Sequence, residues 1–456
     1  MTRWSGWIPL VLYFAVYFTT CLIGSILLLL RYGPFVSLYI YFSGTPVPRL
    51  RGDNLRIELV LLITAPLLLT AGYAVGTRLR MWQFPAGALA SRAPSRLPLL
   101  LFGVALVWVI VDLGHAGTLT RLSSWFSYGH WVVERQRVFS HIGFFGFVNI
   151  YLWLPVTAAW SSIVLELQLG RRKLAVLPPV IAVAAELLLF QKKAAVAALV
   201  LIGAIAVLGR PAATRARRRT LVLALTATVA VTYFTLVVIP VWSSTSQVVS
   251  SAAPSATAPP MPPAEAPGAR TPSLLRSIQR HRRLAVALYA VLAPVTRTAA
   301  PTLFYPLVFP SQHPYYGLDL GQDVLGIGAA PDDNTVVWHA MNPTIAGTSA
   351  APFQWVLFSQ VGWLWTLALS ALLGVLLALF WRGARSERID PTYSALLGGL
   401  VLLFAVYVAI DSLRNSVIVS YGVGWGVLLV FGAACVATLI TRVQRRRAEH
   451  APNATR

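Results

Sequence analysis

An all-α polytopic membrane protein is the fold class this chain predicts, on three observations. Hydrophobic residues make up 57% of the 456 and charged residues only 11%. The mean hydropathy is +0.69. Apolar runs long enough to cross ~30 Å of hydrocarbon recur along the sequence. A soluble domain, which must cover its surface with charge, does not reach such values.

The runs lie at about 8–30, 57–77, 97–114, 142–165, 174–190, 194–209, 220–241, 353–380, 393–411 and 418–440, about ten spans in all. The first follows Arg3, so a cleaved signal peptide is the alternative. From Trp7 to Leu30 it exceeds the ~7–15 apolar residues of a signal core, and no small-residue cleavage site follows, so a retained span is expected. Only "QKK" separates the fifth and sixth runs, which predicts a tight helical hairpin or, alternatively, one long span.

Basic residues set the expected orientation, because short cytoplasmic loops keep Lys and Arg. With the N-terminus inside, roughly 21 of the 37 fall on the cytoplasmic side in stretches such as "GRRK", "RPAATRARRR" and "RVQRRRAEH". Both termini are then cytoplasmic. Residues 1–241 would hold spans one to seven, 242–352 a large outward loop, 353–441 spans eight to ten and 442–456 a basic tail.

Within the outward loop, 242–273 is a Pro/Ala/Ser/Thr tract with little to bury, which reads as a flexible tether. In 274–298, Leu274, Leu275, Ile278 and Leu284 alternate with Arg276, Arg280, Arg282 and Arg283, the pattern of a basic amphipathic helix at the headgroup level. Residues 299–352 form the candidate active-site segment.

Several function classes lose their footing at this point. The net charge of +22 is accounted for by topology signals, so nucleic acid is not an expected partner. Cys21 and Cys435 both fall in predicted spans, which leaves no disulfide framework or metal knuckle and reads as apolar filler. No His/Cys/carboxylate spacing fits a zinc or EF-hand template, so neither metal nor cofactor is expected. Nucleotide-binding and serine-hydrolase motifs are missing too. Asp112, Glu186 and Asp411 lie at outer span ends and Glu166 at an inner one, so the spans hold little charge at mid-depth, against an ion-coupled pump.

Polar residues gather at the outward ends instead. Arg135 and Arg137 in "VVERQRVFSH" and Lys192 and Lys193 in "LFQKKAA" stand at membrane entry points. Snorkelling to lipid phosphates is the ordinary account. A clamp for an anionic lipid headgroup is the functional one, since guanidinium forks match phosphate oxygens and ammonium groups add point charge. In "PSQHPYYGLDLGQD", His313, Tyr315, Tyr316, Asp319 and Asp323 cluster; a second cluster holds Asp332, Asp333, His339 and Asn342. Loop histidines are commonly plain surface residues, but two beside carboxylates near a membrane are where a general base for a hydroxyl would be placed.

The order "LFYPLVFPSQHPYYGLDLGQDVLGIGAAPDDN", "NPTIAG", "FSQVGWLWTLALSALLG" resembles the Wzy-type oligosaccharide repeat-unit polymerases. Shared features are a large outward loop with a His-Pro/Tyr-Gly passage, an Asn before re-entry and a span opening on an FxxxGxxG-like element. Here Trp365 stands where the second glycine would be. "QKKAAVAALVLI" is similar to the family's K/R-G segment, with Lys193 followed by Ala194 in place of glycine. The match covers about a third of the chain.

The resemblance implies a cell-membrane glycosyltransferase that joins polyprenyl-diphosphate-linked oligosaccharides at the external face, with membrane lipids around it and a chain-length regulator or flippase as partner. Lys192, Lys193, Arg135 and Arg137 would bind diphosphate, where leaving-group charge develops. His313, His339 or Asp323 would take the acceptor proton. Tyr315, Tyr316 and Trp338 would stack on sugar rings, or serve as interface anchors, and Asn342 would contact sugar. The rivals are an O-antigen-type ligase or other lipid-linked-sugar transferase, and a lipid-linked-oligosaccharide flippase.

Overall fold

In the computed structural model the described residues are 6–33, 35–36, 39, 47–79, 97–118, 120, 134, 137–138, 141, 146, 149–167, 169–171, 173–189, 298–317, 333–342, 351–385 and 391–410. They form helices α1 (Ile8–Leu29), α2 (Gly52–Arg78), α3 (Leu97–His115), α4 (Leu154–Leu167), α5 (Leu177–Leu188), α6 (Tyr305–Val308), α7 (Asp333–Met341), α8 (Phe353–Ala384) and α9 (Pro391–Ile410), with no strand among them. Four of these, α1, α2, α3 and α8, are long and apolar enough to cross a membrane. The chain is therefore a helical membrane protein.

Those four match the first, second, third and eighth predicted runs, and the fourth, fifth and ninth coincide with shorter apolar helices. The runs at 194–209, 220–241 and 418–440, the tether 242–273, the amphipathic helix but for Thr298, and the tail 442–456 lie outside the described residues.

The tightest helix pair is α2 against α8, and glycine makes it possible. A β-carbon on Gly72 would fall 1.9 Å from the Ala371 carbonyl oxygen, and one on Gly374 would fall 2.0 Å from the Leu69 carbonyl oxygen. One turn on, Gly76 meets Val375 and Ala378. Lipid supplies no hydrophobic drive between apolar helices, so close backbone approach and dispersion must hold them together, and small residues allow it. Arg382 closes the far end of the pair: its Nη1 donates to the Gly76 carbonyl at 3.2 Å and also to the Leu79 carbonyl. A cation on the last carbonyls of α2 satisfies groups that have no helical donor and offsets the helix dipole. Helix α9 packs on both α1 and α8.

Both α1 and α2 carry a π-helical turn, at Phe18–Leu22 and Val60–Thr64. A π-turn leaves carbonyls out of the regular ladder, and such insertions are common at functional positions. Side-chain hydroxyls serve them here. Tyr17 Oη donates to the Leu62 carbonyl at 2.9 Å, and Thr298 Oγ1 donates to the Thr20 carbonyl. Ser25 and Thr302 hydroxyls approach to 3.4 Å. Residues 298–302 thus pack along α1.

Helix α8 is broken rather than continuous, at Gly362, whose φ of 76° and ψ of 175° are open to glycine and costly for other residues. Before the break, Phe353, Trp355, Phe358 and Ser359 are wholly buried; after it Trp363, Leu364 and Trp365 are exposed. Residues 353–359 are thus interior to the protein, and 363–384, about 33 Å at 1.5 Å per residue, are by themselves long enough to cross a membrane.

Candidate functional site

The break in α8 creates acceptors. Without the i+4 donors of a continuous helix, the carbonyls of Ser359 and Gln360 need other partners. The amide of Tyr316 donates to the Ser359 carbonyl at 3.1 Å, and that of Gly317 to the Gln360 carbonyl at 2.7 Å. The Gly362 carbonyl accepts from Thr366 Oγ1 at 2.7 Å. The histidine–tyrosine passage is thereby fastened to the first part of α8 by its own backbone.

Side chains complete the docking. The Tyr315 ring meets Phe358 edge-on at 5.6 Å and covers Gly362, where a β-carbon would lie 3.5 Å from it. Partial burial there pushes the Tyr315 hydroxyl above its ordinary pKa. His313 lies against Tyr316 with ring centroids 4.7 Å apart, and Phe309 meets it edge-on at 5.5 Å. His313 Nδ1 is 2.7 Å from the Pro314 carbonyl oxygen. Since a carbonyl only accepts, Nδ1 donates, and in the neutral ring Nε2 is the acceptor.

A buried polar network underlies this passage. Tyr305 Oη donates to Asp333 Oδ2 at 2.8 Å, with Asn334 Oδ1 at 3.0 Å as its alternative acceptor. Ser359 Oγ reaches the same Asp333 oxygen at 3.2 Å. Asp333 and Asn334 are buried. Asp333 in the sequence reads as part of an outward polar cluster; in the fold it ties α6, α7 and α8 together. Asp333→Ala removes this acceptor, but Tyr305 keeps Asn334 Oδ1 and Ser359 Oγ keeps the Val356 carbonyl at 2.7 Å, so a loss of about 0.5–1.5 kcal/mol is expected. Asp333→Asn, which keeps an acceptor oxygen, should lose clearly less; thermal unfolding in detergent measures both.

Helix α7 turns His339 away from the core. Asp333, Asn334, Val337 and Met341 are buried, whereas His339 is exposed, and at about 100° per residue it lies opposite the buried set. Trp338 and Asn342 are half-buried, with the Asn342 amide on the Trp338 carbonyl at 2.7 Å. His313, Tyr315 and Tyr316 are brought together, and His339 stands on the exposed face of α7.

Of the expected cation clamp, Arg137 is described: its Nε donates to Glu134 Oε2 at 2.7 Å, so a carboxylate offsets its charge. Glu134 is nearly buried and sits in the same quoted stretch, yet the sequence reading assigned it no role. Lys192, Lys193, Arg135 and Asp323 lie outside the described residues.

Glu58, the second residue of the predicted run 57–77, is an acidic group to which the sequence assigns no role. It is wholly buried in α2 and accepts a hydrogen bond from the Trp355 indole at 2.8 Å. The signal was in plain view: a carboxylate within "RIELVLLIT". Trp355 and Ser359 are one turn apart on α8, so this short helical stretch holds Glu58 through one residue and Asp333 through the other. Comparisons with protein families, with characterised proteins and with solved structures find nothing that matches this chain.

Proposed function

We propose that the chain is a metal-independent membrane glycosyltransferase of about ten spans that polymerises polyprenyl-diphosphate-linked oligosaccharide repeat units at the external face of the cell membrane, with both termini cytoplasmic. The observation that carries the reading is His313, held between Phe309 and Tyr316 with Nδ1 donating to a carbonyl. That arrangement sets Nε2 as a proton acceptor beside aromatic surface. In the proposed step the acceptor hydroxyl passes its proton to Nε2 and its oxygen bonds to the anomeric carbon. The bond from that carbon to the diphosphate oxygen breaks, and polyprenyl diphosphate leaves. Lys192, Lys193, Arg135 and Arg137 stabilise the charge that grows on the diphosphate. Tyr316 presents ring surface to a sugar, and Tyr315 anchors the passage to the helix break; Trp338, Asn342, His339 and Asp323 are assigned to the acceptor side.

Membranes carrying Lys193→Ala or His313→Ala are expected to contain the protein yet accumulate unpolymerised repeat unit. Normal chain lengths in both would sink the assignment. Repeat units that are polymerised normally but reach the wrong molecule would point to a ligase. Buried Glu58 favours the flippase as second reading, because a transporter needs charge inside the bundle; lipid-linked glycan trapped on the inner leaflet would select it.

A further inference from the structure

Glu58 sits in a polar cluster with no counter-charge among the described residues packed on it. One carboxylate oxygen accepts from Trp355 Nε1; among the described residues no partner stands within hydrogen-bonding distance and angle of Oε1, of the Gln354 amide or of the Tyr13 hydroxyl. All three residues are wholly buried. They form one group: the Gln354 amide faces the Tyr13 and Tyr17 hydroxyls, these two rings stack at 5.6 Å, and Thr302 faces Glu58.

Among the described residues, the groups that face the carboxylate are neutral or weakly acidic. From α1 come Tyr13, Tyr17 and Cys21, from α8 Gln354 and Trp355, and from 298–302 Thr302. On α2 itself, Arg56 is turned to the surface beside Asp53, 3.4 Å away, with its side chain 82% exposed. An isolated carboxylate taken out of water costs several kcal/mol, more than one indole hydrogen bond returns. None of the described residues supplies the positive charge that such a carboxylate calls for.

We propose that the Glu58 cluster is a binding site for one monovalent cation, a proton or an alkali ion, seated on Oε1. The stoichiometry follows from charge: one carboxylate is neutralised by one unit charge, and a divalent ion would leave the buried cluster positive. The donor type follows from chemistry: carboxylate, amide and hydroxyl oxygens suit a proton or a hard ion and not a soft metal. No group of three His, Cys, Asp or Glu that would hold a metal occurs among the described residues. The π-turns at Phe18–Leu22 and Val60–Thr64 follow Tyr17 and Glu58 closely along their helices, and the Tyr17 hydroxyl links the two through the Leu62 carbonyl. Occupancy neutralises the group on which Trp355 is seated. This inference is independent of the proposed glycosyltransferase activity.

Infrared spectroscopy of the purified full-length chain in lipid vesicles tests it. For a proton, the wild type shows the carbonyl stretch of a protonated carboxylic acid that is lost in Glu58→Gln and moves in Trp355→Phe, which removes the indole donor. For an alkali ion, that band is missing, and replacing choline by Na⁺ or K⁺ raises the Tm of the wild type by several degrees and leaves Glu58→Gln unmoved. An ionised carboxylate signal assigned to Glu58 with a salt-independent Tm would overturn the proposal. Should Glu58→Gln fail to fold, the band shift in Trp355→Phe and the salt response of the wild type still decide between these outcomes.

Discussion

Gly374→Leu will leave little or no folded protein in detergent extracts, whereas Gly103→Leu will be recovered like the wild type. A side chain at Gly374 would have to occupy space 2.0 Å from the Leu69 carbonyl oxygen, and backbone cannot rotate away as a side chain can. The two longest helices would separate, which gives up the dispersion of their whole contact. A loss of about 3 kcal/mol or more is expected, at the upper end of overpacking effects. Gly103, on the exposed face of α3, has nothing within 4 Å of its would-be β-carbon, so only helix propensity and lipid contact change there. Size-exclusion profiles and thermal unfolding of both variants check the contrast; equal recovery would mean that α2 and α8 do not pack as described.

Gly362→Val is the second change with a large expected effect, and it acts on the site and not on the bundle. At φ 76° and ψ 175° a β-branched residue is strained by about 1–3 kcal/mol. Its side chain would also press on the Tyr315 ring, 3.5 Å from the β-carbon position. Relief comes by straightening the helix, which returns the Ser359 and Gln360 carbonyls to helical donors and releases Tyr316 and Gly317. Hydrogen exchange at those two amides should speed up roughly ten- to hundred-fold, with the amides of α2 unchanged. Under the proposed function, polymer synthesis falls with the same substitution, because His313 loses its support. Unchanged exchange at both amides would mean that the passage is held by something other than the break.

Much of this architecture was legible beforehand, for a physical reason. Hydrocarbon demands long apolar runs with every backbone group bonded internally, so composition alone calls for helices. The close pair of α2 and α8 was not: the two glycines of "GYAVG" lie on one helix face, but nothing in that stretch names the helix that packs there. The break at Gly362 was half legible: the FxxxG element was read as the opening of a span, but a glycine in an apolar run does not declare which φ it adopts. Asp333 and His339 show the limit most clearly. They lie six residues apart in one polar stretch, and only the helix they share sends one into the core and the other outward.

Local pattern therefore determined the class of protein, the approximate places of the four long apolar helices and the passage richest in ionisable and aromatic groups. Tertiary structure alone decided that Glu58 is buried beside Trp355, nearly 300 residues along the chain, and that the histidine passage is tied to a broken helix. Those relations depend on which helices become neighbours. Packing across the bundle sets that, and periodicity along one segment carries no record of it.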